Sequence, residues 1–457
     1  MSDILLGKFR AQPQSLSCSP PTMRDQMVSS WIATHLNRNG IHYGWVVVGV
    51  TFLTMLVTAG ALGMPGVLLV PLEKEFGWQT AEISSALAIR LVLFGLLGPF
   101  AAAFMNRFGV RRMVTVALCI IVIALLGSLA MRQLWQLVLL WGVLMGIGTG
   151  LTAMVLAATI ATRWFTHRRG LVTGLLAASS ATGQLIFLPA LAWVTEQHGW
   201  RVTVLLVSAA LALASIAVFA LMRNRPFDVG LPAHGEKTLA APPAEPSGLK
   251  DLLASPLLVL KDAARVPVFW LLFGSFFVCG LSTNGLIQTH FVALCGDFGI
   301  LPVGAASVLA LMGAFDFVGT IGSGWLSDRC DNRWLLFWYY GLRGISLLYL
   351  PFTGFTIYGL SLFAVFYGLD WIATVPPTVK LTASRFGLER ANVVFGWIFA
   401  GHQLGAATAA YGAGLSRTLL GSYLPAFFVA GAFCVVAALL VLSISQPIRE
   451  RLVAKPA

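Results

Sequence analysis

The sequence predicts an all-α integral membrane protein with twelve transmembrane helices in two six-helix, pseudo-symmetric bundles. Three observations predict this class: the composition, a series of long apolar runs and a partial internal repeat. Hydrophobic residues make up 58% of the 457 residues and charged residues only 11%, whereas soluble proteins contain about 25% charged residues. The mean hydropathy is +0.83. Because lipid offers the backbone no hydrogen-bond partners, each apolar run is expected to be a helix.

Twelve apolar runs bounded by charged residues mark the spans, and each is long enough, at about 20 residues, to cross a bilayer. The first six lie near 45–71, 84–104, 113–131, 137–162, 170–194 and 202–222, and the second six near 268–294, 304–326, 334–353, 355–379, 391–416 and 422–446. They divide the chain into an N-terminal segment, 1–43, a first bundle, 44–222, a linker, 223–266, a second bundle, 267–446, and a tail, 447–457. Within the linker, residues 249–264 are expected to lie along the membrane surface.

Lys and Arg residues fall mainly on one side of the predicted membrane. If the N-terminus is cytoplasmic, the outside loops contain only Lys74, Arg132, Arg201 and Arg417. The positive-inside rule then predicts that both termini are cytoplasmic. We expect a multi-pass protein of a plasma membrane, such as the inner membrane of a bacterium. The net charge of +12 is explained by this topology, so it does not indicate binding to nucleic acid.

The loops that follow the second and the eighth span are alike. When Asn106-Arg107 of the first loop is aligned with Asp328-Arg329 of the second, Arg111 also superposes on Arg333. The same loop therefore recurs at the same place in each half. Such internal symmetry is typical of transporters that are built from duplicated helix bundles.

These loops resemble the signature loop of the major facilitator superfamily, G-x-x-x-D-R-x-G-R-R/K. Asn106 replaces its Asp in the first copy, and Asp331 replaces a Gly in the second. Tyr43-Gly-Trp45 and the run from Trp164 to Gly174 are similar to motifs of the branch that contains monocarboxylate transporters and oxalate/formate exchangers. The resemblance implies the major facilitator fold, with helices one, four, seven and ten around a central cavity, and a transport function.

Four charged residues lie within the predicted spans, namely Arg90, Asp316, Arg343 and Asp370. A charge at a helix centre costs about 2.5–3.5 kcal/mol on insertion scales, so each one needs a partner or a water-filled cavity. Asp316 and Arg343 lie at similar distances from the turn between spans eight and nine, and we expect them to pair. The pair would be either a structural clamp or a latch that opens during transport. Relatives in the animal branch carry an Arg one turn after this Asp, but Thr320 stands there.

Arg90 is the leading candidate for a substrate anchor, because a guanidinium presents a planar fork of donors to a carboxylate. The alternatives are an ion pair with another helix or a side chain that reaches the outer surface. Asp370 precedes Pro376-Pro377, which must bend or loosen the helix. It is the leading candidate for a proton carrier, since a carboxylic acid in a low dielectric can exchange a proton near neutral pH. Alternatively, a neighbouring Thr or Trp371 satisfies it.

Further polar residues occur at helical spacing. Asn284 and Gln288 of span seven, and Thr54 and Thr58 of span one, lie one helical turn apart. By the resemblance, these four would face the substrate. His402 of span eleven is a second candidate for proton coupling, although a lone histidine in a membrane helix is more often a packing residue.

The predicted function is secondary active transport of a small organic anion, in the first place a monocarboxylate, by alternating access. Proton symport and anion exchange both stay open as the energy source. The alternatives are proton-coupled efflux of drugs or other small molecules, and a transporter-like membrane sensor. No enzyme is predicted, because the catalytic motifs are absent. Neither a cofactor nor a metal is predicted, and the expected partners are the anion, protons or a counter-anion, and membrane lipids. The protein is expected to be a monomer.

Overall fold

The computed structural model describes residues 41–444, except for 153, 237 and 240–247, together with His35 and Arg38. Most of the predicted N-terminal segment and the whole predicted tail, 447–457, lie outside the described residues. Twelve long helices, α1–α12, make up most of the described part. They are Gly44–Phe76, Thr80–Phe108, Val110–Ser128, Leu134–Trp164, Arg169–His198, Trp200–Leu221, Pro267–Asp297, Pro302–Ser327, Asn332–Tyr349, Ile357–Phe386, Leu388–Leu420 and Leu424–Val441. Ten of them are long and apolar enough to cross a membrane, and α5 and α9 pack among these ten.

The helices pack in the same order in each half. In the first half α1 packs on α5, α2 on α4 and α3 on α6, and in the second half α7 packs on α11, α8 on α10 and α9 on α12. Between the halves α2 packs on α11, α5 on α8 and α1 on α7. The repeated contacts confirm the predicted fold of two pseudo-symmetric six-helix bundles. A shorter helix, Leu249–Ala263, lies in the linker and contacts α2 and α11.

Small residues bring α4 against the backbone of α2. A Cβ atom on Gly142 would lie 3.1 Å from the carbonyl oxygen of Ala86, and one on Gly146 would lie 3.0 Å from that of Arg90. Glycines at a four-residue spacing permit this close packing, since no side chain separates the two helices. The backbone of α2 is therefore held firmly at the depth of Arg90.

Three of the helices depart from regular α-helix. Helix α4 contains a π-helical stretch, Val138–Leu144, and α7 contains another, Leu281–Ile287. Helix α10 consists of Ile357–Asp370 and Val375–Phe386, with a turn between them. The expected disturbance before Pro376-Pro377 is thus a complete break that begins after Asp370. π-Helical stretches and broken membrane helices often accompany functional sites.

The two signature loops make matching contacts at the side of the protein that holds the linker, here called the linker side. Asn106 accepts a hydrogen bond from Arg163 at the end of α4, and Asp328 pairs with Lys380 of α10 at 2.9 Å. The Lys380 ammonium holds the pKa of the exposed Asp328 carboxyl below its ordinary value.

The following arginines of the two loops also have matching roles. Arg111 donates to the carbonyl oxygen of Phe219 at 2.7 Å, at the end of α6, and Arg333 donates to that of Ile444 at 3.0 Å, after α12. Arg107 and Arg329 stack on aromatic neighbours, Phe108 and Trp325 respectively. Each loop connects the second and third helices of its half. Its side chains therefore bind the ends of the fourth and sixth helices of the same half.

Candidate substrate and coupling site

In the part of the chain that the structure describes, two arginines are buried at membrane depth, one in each half. Arg90 is 4% exposed and Arg343 is 0% exposed. Both lie in helices that the sequence predicts to be transmembrane, and neither reaches solvent. The cost of such a buried cation must be offset by partners in the protein or by a ligand.

Arg90 has no partner among the described residues. Its Nε and Nη1 atoms are buried without a hydrogen-bond acceptor, and no described carboxylate acts on it. It lies roughly ten residues into α2, about 15 Å along the helix axis. The backbone of Arg90 packs on Gly146 of α4, and the next residue, Leu91, belongs to a small apolar cluster with three alanines of α11. Among the described residues, Arg90 is therefore a buried cation without a neutralising partner, in a helix that packs on the other half.

The other predicted substrate-binding residues have different surroundings. The Thr54 hydroxyl donates to the carbonyl oxygen of Val50 at 2.8 Å within its own helix. The Thr58 hydroxyl is buried and has no partner in the described part of the chain. Asn284 and Gln288 are partly exposed, and Asn284 lies within the π-helical stretch of α7. No hydrogen bond among the described residues joins any of these side chains to Arg90.

Arg343 of α9, in contrast, uses all three of its nitrogen atoms. Nε donates to Asp370 Oδ2 at 2.7 Å, and Nη1 donates to Cys279 Sγ at 3.0 Å. Nη2 donates to the carbonyl oxygens of Asp370 and Trp371, the latter at 3.1 Å. These carbonyls lie where the first segment of α10 ends, so the guanidinium satisfies groups that a helix C-terminus leaves unpaired.

Asp316 of α8 binds the same break from the other side. Its Oδ1 atom accepts the backbone N–H of Ile372 at 2.8 Å and the Thr320 hydroxyl at 2.9 Å. The break in α10 is therefore held by two side chains. The Asp316 carboxylate accepts a backbone N–H group at the break, and the Arg343 guanidinium donates to the backbone carbonyls there.

These contacts correct two sequence-based expectations. The predicted ion pair between Asp316 and Arg343 is wrong, because Arg343 pairs with Asp370. The alternative surroundings predicted for Asp370, a neighbouring Thr or Trp371, are wrong as well, because its Oδ2 atom is half of a buried ion pair with Arg343. Its role as a proton carrier stays a prediction. Its Oδ1 atom has no hydrogen-bond partner in the described residues.

His402 of α11 packs among aromatic rings. Its ring stacks on Phe399 at a centroid distance of 5.5 Å and lies 5.2 Å from the ring of Phe276. Its Nδ1 atom is buried without a described partner. These surroundings fit a packing residue, which was the alternative to a role in proton coupling.

Two buried groups escape the sequence reasoning. Cys279 of α7 contacts Arg343, and also Thr374 at 3.3 Å, but an isolated cysteine in an apolar run gives no signal. Gln403 of α11 is fully buried with both amide atoms unpartnered in the described part. Its Cβ faces Gly95 of α2, so it lies between the halves. A glutamine in an apolar span is a signal that points to such a position.

The family of the chain follows from comparison with known proteins. The model of the Major Facilitator Superfamily matches residues 51–410. The chain belongs to this superfamily. Its fold and family are those of transporters, and the predicted recognition is confirmed.

Similar proteins include monocarboxylate transporters. Monocarboxylate transporter 13 of Rattus norvegicus is 28% identical over 395 residues, which cover 86% of each chain. A protein of Bacillus subtilis described as an uncharacterized MFS-type transporter is 23% identical over 78% of this chain and 84% of its own length. The Fujikurins efflux protein of Gibberella fujikuroi is 25% identical over 76% of this chain and 70% of its own.

Among solved structures, a D-xylose-proton symporter superposes with a TM-score of 0.67 at 15% identity. The superposition covers 89% of this chain and 98% of the symporter. A likeness at this level of identity shows the shared fold alone.

Proposed function

We propose that the protein is a secondary active transporter of a small organic anion, with monocarboxylates as the favoured class, and that Arg90 binds the carboxylate. The observation that carries this proposal is the buried guanidinium of Arg90, whose Nε and Nη1 atoms have no acceptor among the described residues, in a helix that packs on the other half. A carboxylate would supply the missing negative charge and two acceptors in the geometry of the guanidinium fork. The similarity to monocarboxylate transporters supports the same class.

In this proposal, Thr58, Asn284 and Gln288 contribute to the site beside Arg90. Thr58 has a buried hydroxyl without a partner among the described residues, and the other two are partly exposed amides of α7. Thr54 is a weaker candidate, because its hydroxyl is already bonded within α1. A ligand held between Arg90 of the first half and α7 of the second would contact both bundles, as alternating access requires.

Coupling to protons would depend on the buried group of Asp316, Arg343 and Asp370. This group holds two carboxylates and one guanidinium, so it carries one excess negative charge when both acids are ionised. A buried excess charge is costly, and one proton would neutralise it. The proton belongs to the pair of acids rather than to one of them. Asp316 binds the backbone at the break of α10, and Asp370 pairs with the arginine that binds the same break, so taking up the proton would alter that helix. His402 is the second candidate.

The direct experiment measures uptake by the purified protein in proteoliposomes. Radiolabelled formate, lactate and pyruvate are offered either with an imposed pH gradient or with unlabelled anion inside. Uptake that follows the pH gradient indicates symport, and uptake that requires internal anion indicates exchange. We expect Arg90→Lys, which keeps the charge and loses the fork, to lower uptake roughly 10- to 100-fold, as expected for one or two charged hydrogen bonds.

The matched control is Arg132→Lys, at an exposed arginine between α3 and α4, which should leave uptake unchanged. Undiminished uptake by Arg90→Lys would remove the carboxylate-binding role. Efflux is the second candidate, since a fungal efflux protein is among the relatives. Extrusion of a dye without uptake of any short carboxylate would favour efflux over the proposed function.

The proposed topology places both termini and the linker in the cytoplasm, in a bacterial inner membrane or another plasma membrane. Labelling of cysteines introduced beside Arg132 and beside Arg111 in intact cells tests this orientation. Reagent added outside should reach the first position and fail to reach the second.

A further inference from the structure

The two motifs that resemble the monocarboxylate branch lie far apart in sequence and contact each other on the linker side. The ring of Tyr43 lies 6.0 Å from that of Trp164, and the ring of Trp45 lies 5.2 Å from that of Phe165. The Tyr43 hydroxyl donates to the carbonyl oxygen of Leu221 at 2.7 Å. The start of α1 is thereby fixed to the connection between α4 and α5 and to the end of α6. Neither the anion site nor the buried ion pair uses these residues.

The linker contributes a third segment of the chain to this cluster. The backbone N–H of His234 donates to the carbonyl oxygen of Trp164 at 2.8 Å, and Thr166 N–H donates to that of His234 at 3.1 Å. The His234 ring lies 5.3 Å from the ring of Phe165. We call Tyr43, Trp45, Trp164, Phe165, His42 and His234 the linker clasp. It binds the linker to the first bundle, well before the linker reaches the second.

The hydrogen bonds of His42 require its neutral form. Nδ1 accepts the backbone N–H of Gly44 at 3.0 Å, so it carries no proton. Nε2 lies 2.9 Å from the carbonyl oxygen of Pro232 and must donate to it. A proton added to Nδ1 would meet the Gly44 N–H and break the first of these bonds. Burial, opposed in part by the bond to Pro232 and assisted by His234, lowers the pKa of His42.

Among the described residues, no carboxylate is hydrogen-bonded to His42 or favours its protonated form. The ring of His234, in the linker, lies 5.4 Å from the ring of His42. The ring of His167, in the α4–α5 connection, lies against Gly235 of the linker. The positive charges of Arg223 and Arg111 both interact electrostatically with Tyr43, the residue next to His42. Of the two carboxylates in residues 223–236 of the linker, Asp228 already accepts the N–H groups of Asn224 and Arg225. The other, Glu236, is exposed.

We propose that the linker clasp is a pH-sensitive tether, closed while His42 is neutral and opened when acid on the linker side protonates it. In the closed clasp, His42 binds a proton more weakly than a free histidine does. The stability of the clasp is therefore complete above the ordinary histidine value of about pH 6.5 and falls as the pH drops below it. Opening would free residues 231–236 from the first bundle and so lengthen the stretch of linker that is not bound to it. This inference is independent of the transported substrate.

Hydrogen exchange of the full-length protein in lipid nanodiscs tests the tether. The protection factors of the Thr166 and His234 amides are compared at about pH 7.5 and about pH 5. We expect protection to fall roughly ten-fold in the acid sample, the change that one titrating histidine can produce over about one pH unit. Two variants separate the roles of His42. His42→Gln retains a donor toward Pro232 and cannot titrate, and His42→Asn can accept from Gly44 but is too short to reach Pro232.

In His42→Gln, the loss of pH dependence, at whatever level of protection, supports the proposal. In His42→Asn, we expect low protection at both pH values. The matched control is His198→Gln, at an exposed histidine beside Trp193 at the end of α5, which should keep the wild-type pH response. The proposal is overturned if wild-type protection does not change with pH, or if His42→Gln responds as the wild type does.

Discussion

Arg90 and Arg343 are both buried in membrane helices, and their surroundings are opposite. Arg343 donates to a carboxylate, a thiol and two carbonyl oxygens. Arg90 has two buried nitrogen atoms with no acceptor among the described residues. A cation with a complete set of partners stabilises the fold, and a cation without them is available to a ligand. Pseudo-symmetric halves can thus place the same residue type at membrane depth for different purposes.

The largest expected effect is on stability at Arg343. Arg343→Leu leaves the Asp370 carboxylate buried without its partner and two carbonyls without donors, which should cost about 3–5 kcal/mol. The measurement is thermal unfolding of the purified variant in detergent. The double variant Arg343→Leu with Asp370→Leu removes both charges and should recover much of the lost stability. An unchanged unfolding temperature for the single variant would contradict the clamp.

Arg90 should respond in the opposite way. Arg90→Leu removes an unneutralised buried charge, so the free energy of unfolding should stay unchanged or rise, while carboxylate uptake is lost. Thermal unfolding and proteoliposome uptake, measured on the same preparation, check both halves of this prediction. If Arg90→Leu loses as much stability as Arg343→Leu, the two arginines are alike and the comparison fails.

The fold was predictable because its signals are local. Apolar runs mark the spans, and Asn106-Arg107 and Asp328-Arg329 mark the repeated loop. The pairing of Arg343 was not predictable, because equal depth in a hairpin says nothing about rotation around the helix axis. Arg343 turns toward Asp370, where the broken α10 offers carbonyl oxygens as well as a carboxylate. Only the three-dimensional structure shows that combination.

The candidate site was predictable only in part, for the same reason. A charged residue inside an apolar run is visible in the sequence, so Arg90, Asp316 and Asp370 could be selected. Whether such a residue is satisfied depends on atoms from other helices. The N–H of Ile372 that binds Asp316 is a backbone group, and no side-chain pattern indicates that it is free.

Asp316 offers a smaller effect that separates clamp from coupling. Asp316→Asn keeps an oxygen that can accept from Ile372 and Thr320, so the expected loss of stability is about 1 kcal/mol. Asp316→Ala leaves both donors unpaired and should cost about 2–3 kcal/mol. Uptake driven by a pH gradient is measured beside thermal unfolding. If the acids share the coupling proton, Asp316→Asn uncouples uptake from the gradient; coupled uptake together with impaired folding would assign Asp316 to structure alone.

Thr58 gives the smallest effect and bears on the arrangement around Arg90. Its hydroxyl has no described partner, so Thr58→Val, which is nearly the same in shape, should change the free energy of unfolding by no more than about 0.5 kcal/mol. If the hydroxyl contacts the anion, the KM for uptake should rise up to about ten-fold, the value of one hydrogen bond. Thr54→Val is the matched control, because the Thr54 hydroxyl is bonded to Val50 within α1. If both variants change KM equally, the Thr58 hydroxyl makes no specific contact with the substrate. The remaining contacts of an anion bound to Arg90 would then come from α7.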